Sequence, residues 1–354
     1  MWNKHLSCLC ILLLVANTHL EAWGLRGHTI ANLVAVESIS ADGPAFLKGY
    51  RAYIGHLGVI PDTWRGSTEP YLRISEDPNH GWYTESFDFI KEIPHSRTEF
   101  TLKVYDEYLR VSKTNPERAT MLNIRYTGLQ AYSMMEGYER MKAGMRLYRF
   151  AGHKSTDGRV RDLASLYGPL SPELRDVGQI RGFLAQDVAF YMGWLGHYIA
   201  DAAQPLHNSK HHDGWVGDDP KGYTRDPNIH ERFESTYVDL IKVSETDVLP
   251  LVSRKPRYFS DPWAAILDHM LEARAYTEEI YKLDLQGAFE RTDNAEARQL
   301  VCKRLASGAG FLRDLAYTAW IEAGKPFAGL QDDDTMSDPK NPRYNPATGS
   351  APAP

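Results

Sequence analysis

The 354-residue chain is 43% hydrophobic and 24% charged, with 40 Lys and Arg set against 46 Asp and Glu for a formal net charge of −6. That length suffices for one large domain or two modest ones. The acidic balance excludes the kind of basic patch that dominates nucleic-acid affinity, so a phosphate-bearing partner needs another source of positive charge.

The opening segment, MWNKHLSCLCILLLVANTHLEA, places Lys4 before an apolar run from Leu6 to Ala16 and ends at Ala22. This is the layout of a secretory signal peptide, and the run is too short for a transmembrane helix. The mature chain is therefore expected to be soluble and secreted or periplasmic. Cleavage after Ala22 makes Trp23 the new N-terminus; cleavage after Ala16 is the alternative. Cys8 and Cys10 leave with the signal, and Cys302 stays as the one mature cysteine, a core residue within a helical pattern. With no internal disulfide, such a protein depends on its apolar core, on metal, or on both.

From residue 23 to about 325, apolar residues recur at three- and four-residue spacing in 28–39, 98–111, 127–150, 184–202, 265–283 and 295–324. That period predicts amphipathic helices, and the expected fold is a single all-α domain spanning 23–325. Strand-like alternation is weak and confined to YTESFDFI, 83–90. Connections rich in Gly, Pro and Asp lie near 55–80 and 208–229. Residues 326–354 are rich in Pro and Asp and poor in large apolar side chains, which predicts a disordered tail.

Two pairs carry candidate chemistry. His197 and Asp201 are four apart in GHYIADAAQPLH, so on a helix they share a face and offer an imidazole and a carboxylate to one metal ion. Pro205 ends that helix, and His207 can return toward the same pocket. His230 and Glu234 repeat the spacing in NIHERFESTYV, with Phe233 and Val238 available for packing. Either pair alone also fits a hydrogen-bonded pair on a helix face.

Read together with WGLRGH at the mature start, PDTWR and NHGWYTE, the pattern becomes specific. A terminal Trp, a His, an Asp, another His, then H-x-x-x-D-x-x-Q-P-L-H and H-x-x-x-E resembles the zinc-dependent phospholipase C and single-strand nuclease superfamily. The matching residues run from Trp23 to Glu234. The resemblance implies an all-α fold and three zinc ions. One would be held by Asp62, His80, His197 and Asp201, and a second by His207, His230 and Glu234. The third would take the α-amino nitrogen and carbonyl oxygen of Trp23, together with His28 and a bridging Asp201. An α-amino group has an ordinary pKa of about 7.7–8.0, so a metal can displace its proton near neutral pH. Three Zn²⁺ against three carboxylates and a bridging hydroxide leave roughly +2 in the pocket, enough to draw a phosphate into an acidic protein.

The same resemblance implies hydrolysis by a zinc-activated water, with Asp62 orienting or deprotonating it. The spacings Trp23–His28 and His207–His230 resemble the nuclease branch, whereas Glu234 matches the phospholipase branch. The long Asp62–His80 interval makes Asp77 the alternative to Asp62. The expected substrate is single-stranded RNA or DNA or a nucleotide phosphoester, with phosphatidylcholine as the alternative; a non-enzymatic zinc-binding protein is the other class. No protein partner is implied. Between two ligand positions, Trp215 and Tyr223 are candidates to stack on a base or line a headgroup pocket. Trp64 and Trp82 flank ligands. Arg65, Lys210 and Arg225 are candidate phosphate contacts, and His211 and His212 are candidate extra ligands.

Overall fold

The computed structural model describes residues 23–66, 68–151, 176–325, 339–349 and 351. The expected signal peptide and much of the expected tail lie outside them. The described chain is mainly helical with almost no strand, the all-α class that the periodicity predicts. In order the helices are α1 (Gly24–Glu37), α2 (Arg51–Leu57), α3 (Ile60–Arg65), α4 (Pro70–Glu76), α5 (Arg97–Val111), α6 (Pro116–Thr120), α7 (Ile124–Thr127) and α8 (Gln130–Phe150). The central helix α9 (Val177–Ala203) follows, then a helical segment over 229–240, α10 (Pro262–Arg274), α11 (Thr277–Leu285) and α12 (Ala295–Ala323). No described helix is long and apolar enough to cross a membrane.

Helix starts are written in short polar residues. Asp176, Asp261 and Asn294 each accept a first-turn backbone N–H at the heads of α9, α10 and α12, satisfying donors that a helix cannot pair internally. At its other end α9 stops because Pro205 follows. The preceding Gln204 is extended (φ −83°, ψ 120°), as the proline ring demands, and a short 3-10 turn from Pro205 to Asn208 carries His207 back inward.

The second half of α9 is buried almost all round, from Met192 to Ala203 except Trp194. A helix apolar on every side belongs inside a protein, and α1, α2, α8 and α12 pack around it. Asn32 of α1 donates to the carbonyls of Ile54 on α2 and Gly193 on α9 at 2.9 and 3.0 Å, so one buried amide pins three helices. The fit leaves no room for a side chain at Gly196, where a Cβ would overlap Asn32 Oδ1. Arg304, itself buried, donates to Ala203 O at 2.7 Å and pairs with Glu272, capping the carbonyl end of α9. Cys302 lies in this core, as expected.

The stretch 83–90 does not form a strand. Thr84–Ser86 is a 3-10 turn, and Phe87 is drawn into an aromatic group with Trp82 and Phe100. A single bridge joins Trp82 to Gly128. Gly128 takes φ 82°, ψ 164°, a region essentially closed to residues with a Cβ, and a Cβ there would overlap the Gly81 carbonyl. Within the expected tail, the described residues 339–349 form turns and Ala351 is buried.

Candidate metal centre

Six stretches of chain deliver acids and imidazoles to one buried region. Helix α9 brings His197 and Asp201, one turn apart and both without solvent exposure. Helix α1 brings His28, and α3 brings Asp62 from its first turn. A 3-10 turn from Asp77 to His80 supplies His80, the Pro205 turn supplies His207, and the 229–240 segment supplies His230 and Glu234. Glu234 itself lies in a π-turn, Arg232–Thr236, a local widening often found at functional positions.

Three sets of potential ligand atoms result, each within 4.8 Å of one another: His28 with His197 and Asp201, Asp62 with His80 and His197, and His207 with His230 and Glu234. Asp201 links the first two. Its Oδ1 lies 3.3 Å from His28 Nε2, while Oδ2 lies 3.3 Å from His197 Nε2 and 3.2 Å from His80 Nδ1. In the third set, Glu234 Oε2 is 2.9 Å from His230 Nε2 and 3.3 Å from His207 Nε2. Ligand atoms about 2.0–2.1 Å from a tetrahedral metal stand about 3.3 Å from each other, which is the spacing these groups adopt.

A second observation tests that fit. Both ring nitrogens of His28, Asp62 Oδ1, Asp201 Oδ1, His230 Nε2 and Glu234 Oε1 are buried and have no hydrogen-bond partner. Native interiors rarely leave such atoms unmet, and in this cluster both imidazole nitrogens and carboxylate oxygens are left so side by side. The residues fit a metal centre.

The outward-facing nitrogens of three histidines are engaged. His197 Nδ1–H donates to Gly58 O at 2.8 Å, His207 Nδ1–H donates to His80 O, and His230 Nδ1–H donates to Asp213 Oδ1 at 3.2 Å. Because these acceptors cannot donate, they fix the tautomer that leaves each Nε2 as a lone-pair donor. Gln204 steadies Glu234 Oε2 through Nε2 at 2.7 Å. Glu76 accepts from Tyr198 and stands 3.5 Å from His80 Nε2. Sequence reasoning missed Gly58, Glu76 and Asp213, and read Gln204 only as part of a spacing. Asp213 follows the noticed HH pair directly, and that adjacency was its one signal.

In the metal-free chain, the histidines differ. Burial and the neighbouring His197 lower the pKa of His28. Burial also opposes charging His197, but Asp201 and Asp62 outweigh it and raise its pKa to about 9. At His230, burial is likewise outweighed by Glu234 and Asp213, giving about 10. Burial disfavours the Glu234 carboxylate, yet His230 and His207 hold its pKa down to about 2. Near neutral pH, His197 and His230 therefore carry protons that a metal must displace. Metal binding at pH 7 is expected to release about two protons per chain from this pair, and overall loading to weaken about 100-fold per unit of acidification. Calorimetry in buffers of different ionisation enthalpy measures that release; zero release contradicts binding at these imidazoles.

Trp23 is fully buried. Its indole Nε1 donates to Ala200 O at 2.7 Å, and its carbonyl accepts from Gly27 N at 3.0 Å. The start of α1 is thereby tied to the turn of α9 that bears Asp201. Asp77, the alternative to Asp62, belongs to a different arrangement: Oδ1 takes Arg65 Nε and Oδ2 takes Arg125 Nε, both at 3.0 Å.

A small cleft opens onto the cluster. It is lined by the ligand histidines His80, His207 and His230, by Tyr83, His212 and Asp213, and by Arg65, Asp77, Arg125 and Tyr126. Arg65 is thus the expected cation that reaches this cleft. Arg225 instead donates to Trp215 O and Gly217 O, and Lys210 lines a separate surface hollow.

Trp215 and Tyr223 are not among the residues lining the cleft. Trp215 stacks on His211 at 4.0 Å and meets Tyr223 and Tyr281, while the Tyr223 hydroxyl donates to Glu278. Both side chains pack within this loop. His211 and His212 lie outside the three ligand sets: His212 stacks on Tyr83 and pairs with Asp213. Trp82 is core, and its backbone N–H donates to His207 O at 2.8 Å; Trp64 is half-buried. No family model, curated protein or solved structure matches the chain.

Proposed function

We propose that the chain is an exported zinc-dependent phosphodiesterase, nuclease-like, acting on single-stranded RNA or DNA or on nucleotide phosphoesters. The observation that carries this reading is the gathering of three buried ligand sets, two of them joined through the Asp201 carboxylate, beside a cleft that Arg65 and Arg125 help to line. Simple metal storage does not call for a bridging carboxylate beside such an opening. The ligand order and types also resemble those of the zinc-dependent phospholipase C and single-strand nuclease superfamily.

Three zinc ions would be held as that resemblance implies: by Asp62, His80, His197 and Asp201; by His207, His230 and Glu234; and by Trp23, His28 and Asp201. Zinc supplies Lewis acidity there, making a hydrolytic nucleophile available near neutral pH and facing a phosphoryl group with positive charge. Asp62 is the proposed proton acceptor. Its Oδ1 is buried and unpartnered, and the carboxylate is 3.7 and 3.8 Å from His80 Nδ1 and His197 Nε2, so it stands at the cluster without being consumed by a hydrogen bond. Arg65 contributes a guanidinium to the cleft, aligned with charge developing on a phosphoryl oxygen. No serine or cysteine nucleophile is needed, and Cys302 is remote in the core.

Glu234 keeps the phospholipase alternative in view, because that branch carries glutamate at this position. One experiment separates the readings. Metal content is measured on the exported protein, and a zinc-loaded sample is then offered single-stranded DNA, RNA, a 3′-nucleotide and phosphatidylcholine. Close to three zinc per chain and cleavage of a nucleic-acid substrate are expected. Lipid cleavage alone overturns the nuclease assignment, and zinc without any phosphoester hydrolysis returns the chain to a binding role.

A further inference from the structure

The cleft beside the cluster is small and open to solvent, so a phosphoryl group set against its three histidines leaves whatever it carries to extend toward the exposed side chains around it. There Arg125 is the most exposed of the ion-paired side chains, at 60% against 20% for Arg65, 15% for Asp77 and 37% for Asp213.

Arg125 is tethered as well as exposed. Asp77 holds its Nε at 3.0 Å with one oxygen while holding Arg65 Nε with the other. One carboxylate thus serves two guanidiniums, so the trio by itself carries a net positive charge. Among the described residues no other group engages Arg125. A guanidinium braced in this way loses less freedom on binding a second anion.

We propose that Arg125 grips the phosphate next to the one being cleaved, and so selects a polyanionic strand over a phosphatidylcholine headgroup. The inference rests on the phosphodiesterase reading above. A nucleic-acid strand presents a second negative charge at the rim, whereas phosphatidylcholine presents a quaternary ammonium to the same guanidinium. Sequence alone gave no reason to single out Arg125. Only the fold sets it beside Asp77, forty-eight positions earlier in the chain.

The test uses zinc-loaded wild type, Arg125→Ala and Arg125→Lys. Each is assayed on a thymidine hexanucleotide, on a dinucleoside monophosphate, which has only the scissile phosphate, and on phosphatidylcholine vesicles. For Arg125→Ala, KM on the hexanucleotide is expected to rise about tenfold with kcat within about twofold, and the change on the dinucleoside monophosphate to be at most about twofold. Arg125→Lys recovers part of the loss. In anisotropy titrations with a phosphorothioate hexanucleotide, the slope of log K against log salt falls by about 0.7 in Arg125→Ala, the signature of one lost phosphate contact on a single strand. Equal loss on both nucleotide substrates, or an unchanged salt slope, overturns the proposal. So does faster cleavage of the vesicles than of the hexanucleotide by wild type. Failure of wild type to hydrolyse any phosphoester sinks the functional reading itself; hexanucleotide cleavage indifferent to Arg125 sinks only this inference.

Discussion

Asp201→Asn is expected to remove at least one metal ion per chain and to lower hydrolysis by about 10³-fold or more. The reason lies in how the carboxylate is divided. Oδ1 faces His28 and Oδ2 faces His197 and His80, so both oxygens act as acceptors toward different ligand sets. An amide keeps the shape but puts an N–H₂ in place of one oxygen and removes the negative charge. One set then confronts a donor where it needs a lone pair. Loss of Lewis-acid stabilisation costs several kcal/mol of barrier, which at 1.36 kcal/mol per decade gives the stated range. Metal content by elemental analysis and circular dichroism belong with the rate, because losing a structural ion can also unfold a domain. A folded variant with full metal and full activity would refute the bridging role.

Gly128→Ala is expected to be the most damaging small substitution near the site, at about 3 kcal/mol or more. Two penalties combine: a backbone region all but closed to Cβ-bearing residues, and overlap with the rigid Gly81 carbonyl rather than with a side chain that could swing away. Backbone bonds join this turn to the His80 segment on either side, Leu129 N to Pro78 O at 2.6 Å and Tyr83 N to Thr127 O at 3.1 Å. Relief of the clash therefore displaces His80, and weaker metal binding should accompany the lost stability. Gly287→Ala is the control. Its φ is 63° but nothing lies within 4 Å of the added methyl, so backbone strain alone applies, about 1–2 kcal/mol. Denaturant unfolding of both variants tests the contrast, and equal losses would show that the overlap at Gly128 is relieved without cost.

What was legible in the sequence follows the range of each interaction. The helix period revealed α1, α5, α8, α9 and α12, and the four-residue spacing revealed that His197 and Asp201 share a face. Pro205 announced the turn that returns His207. Within each such pair the geometry is local, so a short window suffices. The 83–90 alternation misled because strand pairing requires a neighbour, and here Phe87 found aromatic rings instead. The packing of Trp215 and Tyr223 could not be read for a similar reason: Tyr281, which both rings meet, lies more than fifty positions downstream. Gly58 was invisible for a simpler cause. It acts through a carbonyl oxygen, which every residue possesses. Arg125 and Asp213 were surface charges without period or motif, given meaning only by what the fold brings beside them.

The indole bond from Trp23 to Ala200 spans 177 positions, and this bears on how the molecule comes into being. Synthesis delivers α1 well before α9, so its docking site exists only once residue 200 has been made. Distant closures of this kind are slow, because the intervening loop entropy is lost before the contact forms. Until that contact forms, His28 is not held against His197 and Asp201, so the centre is complete only once α1 and α9 have met.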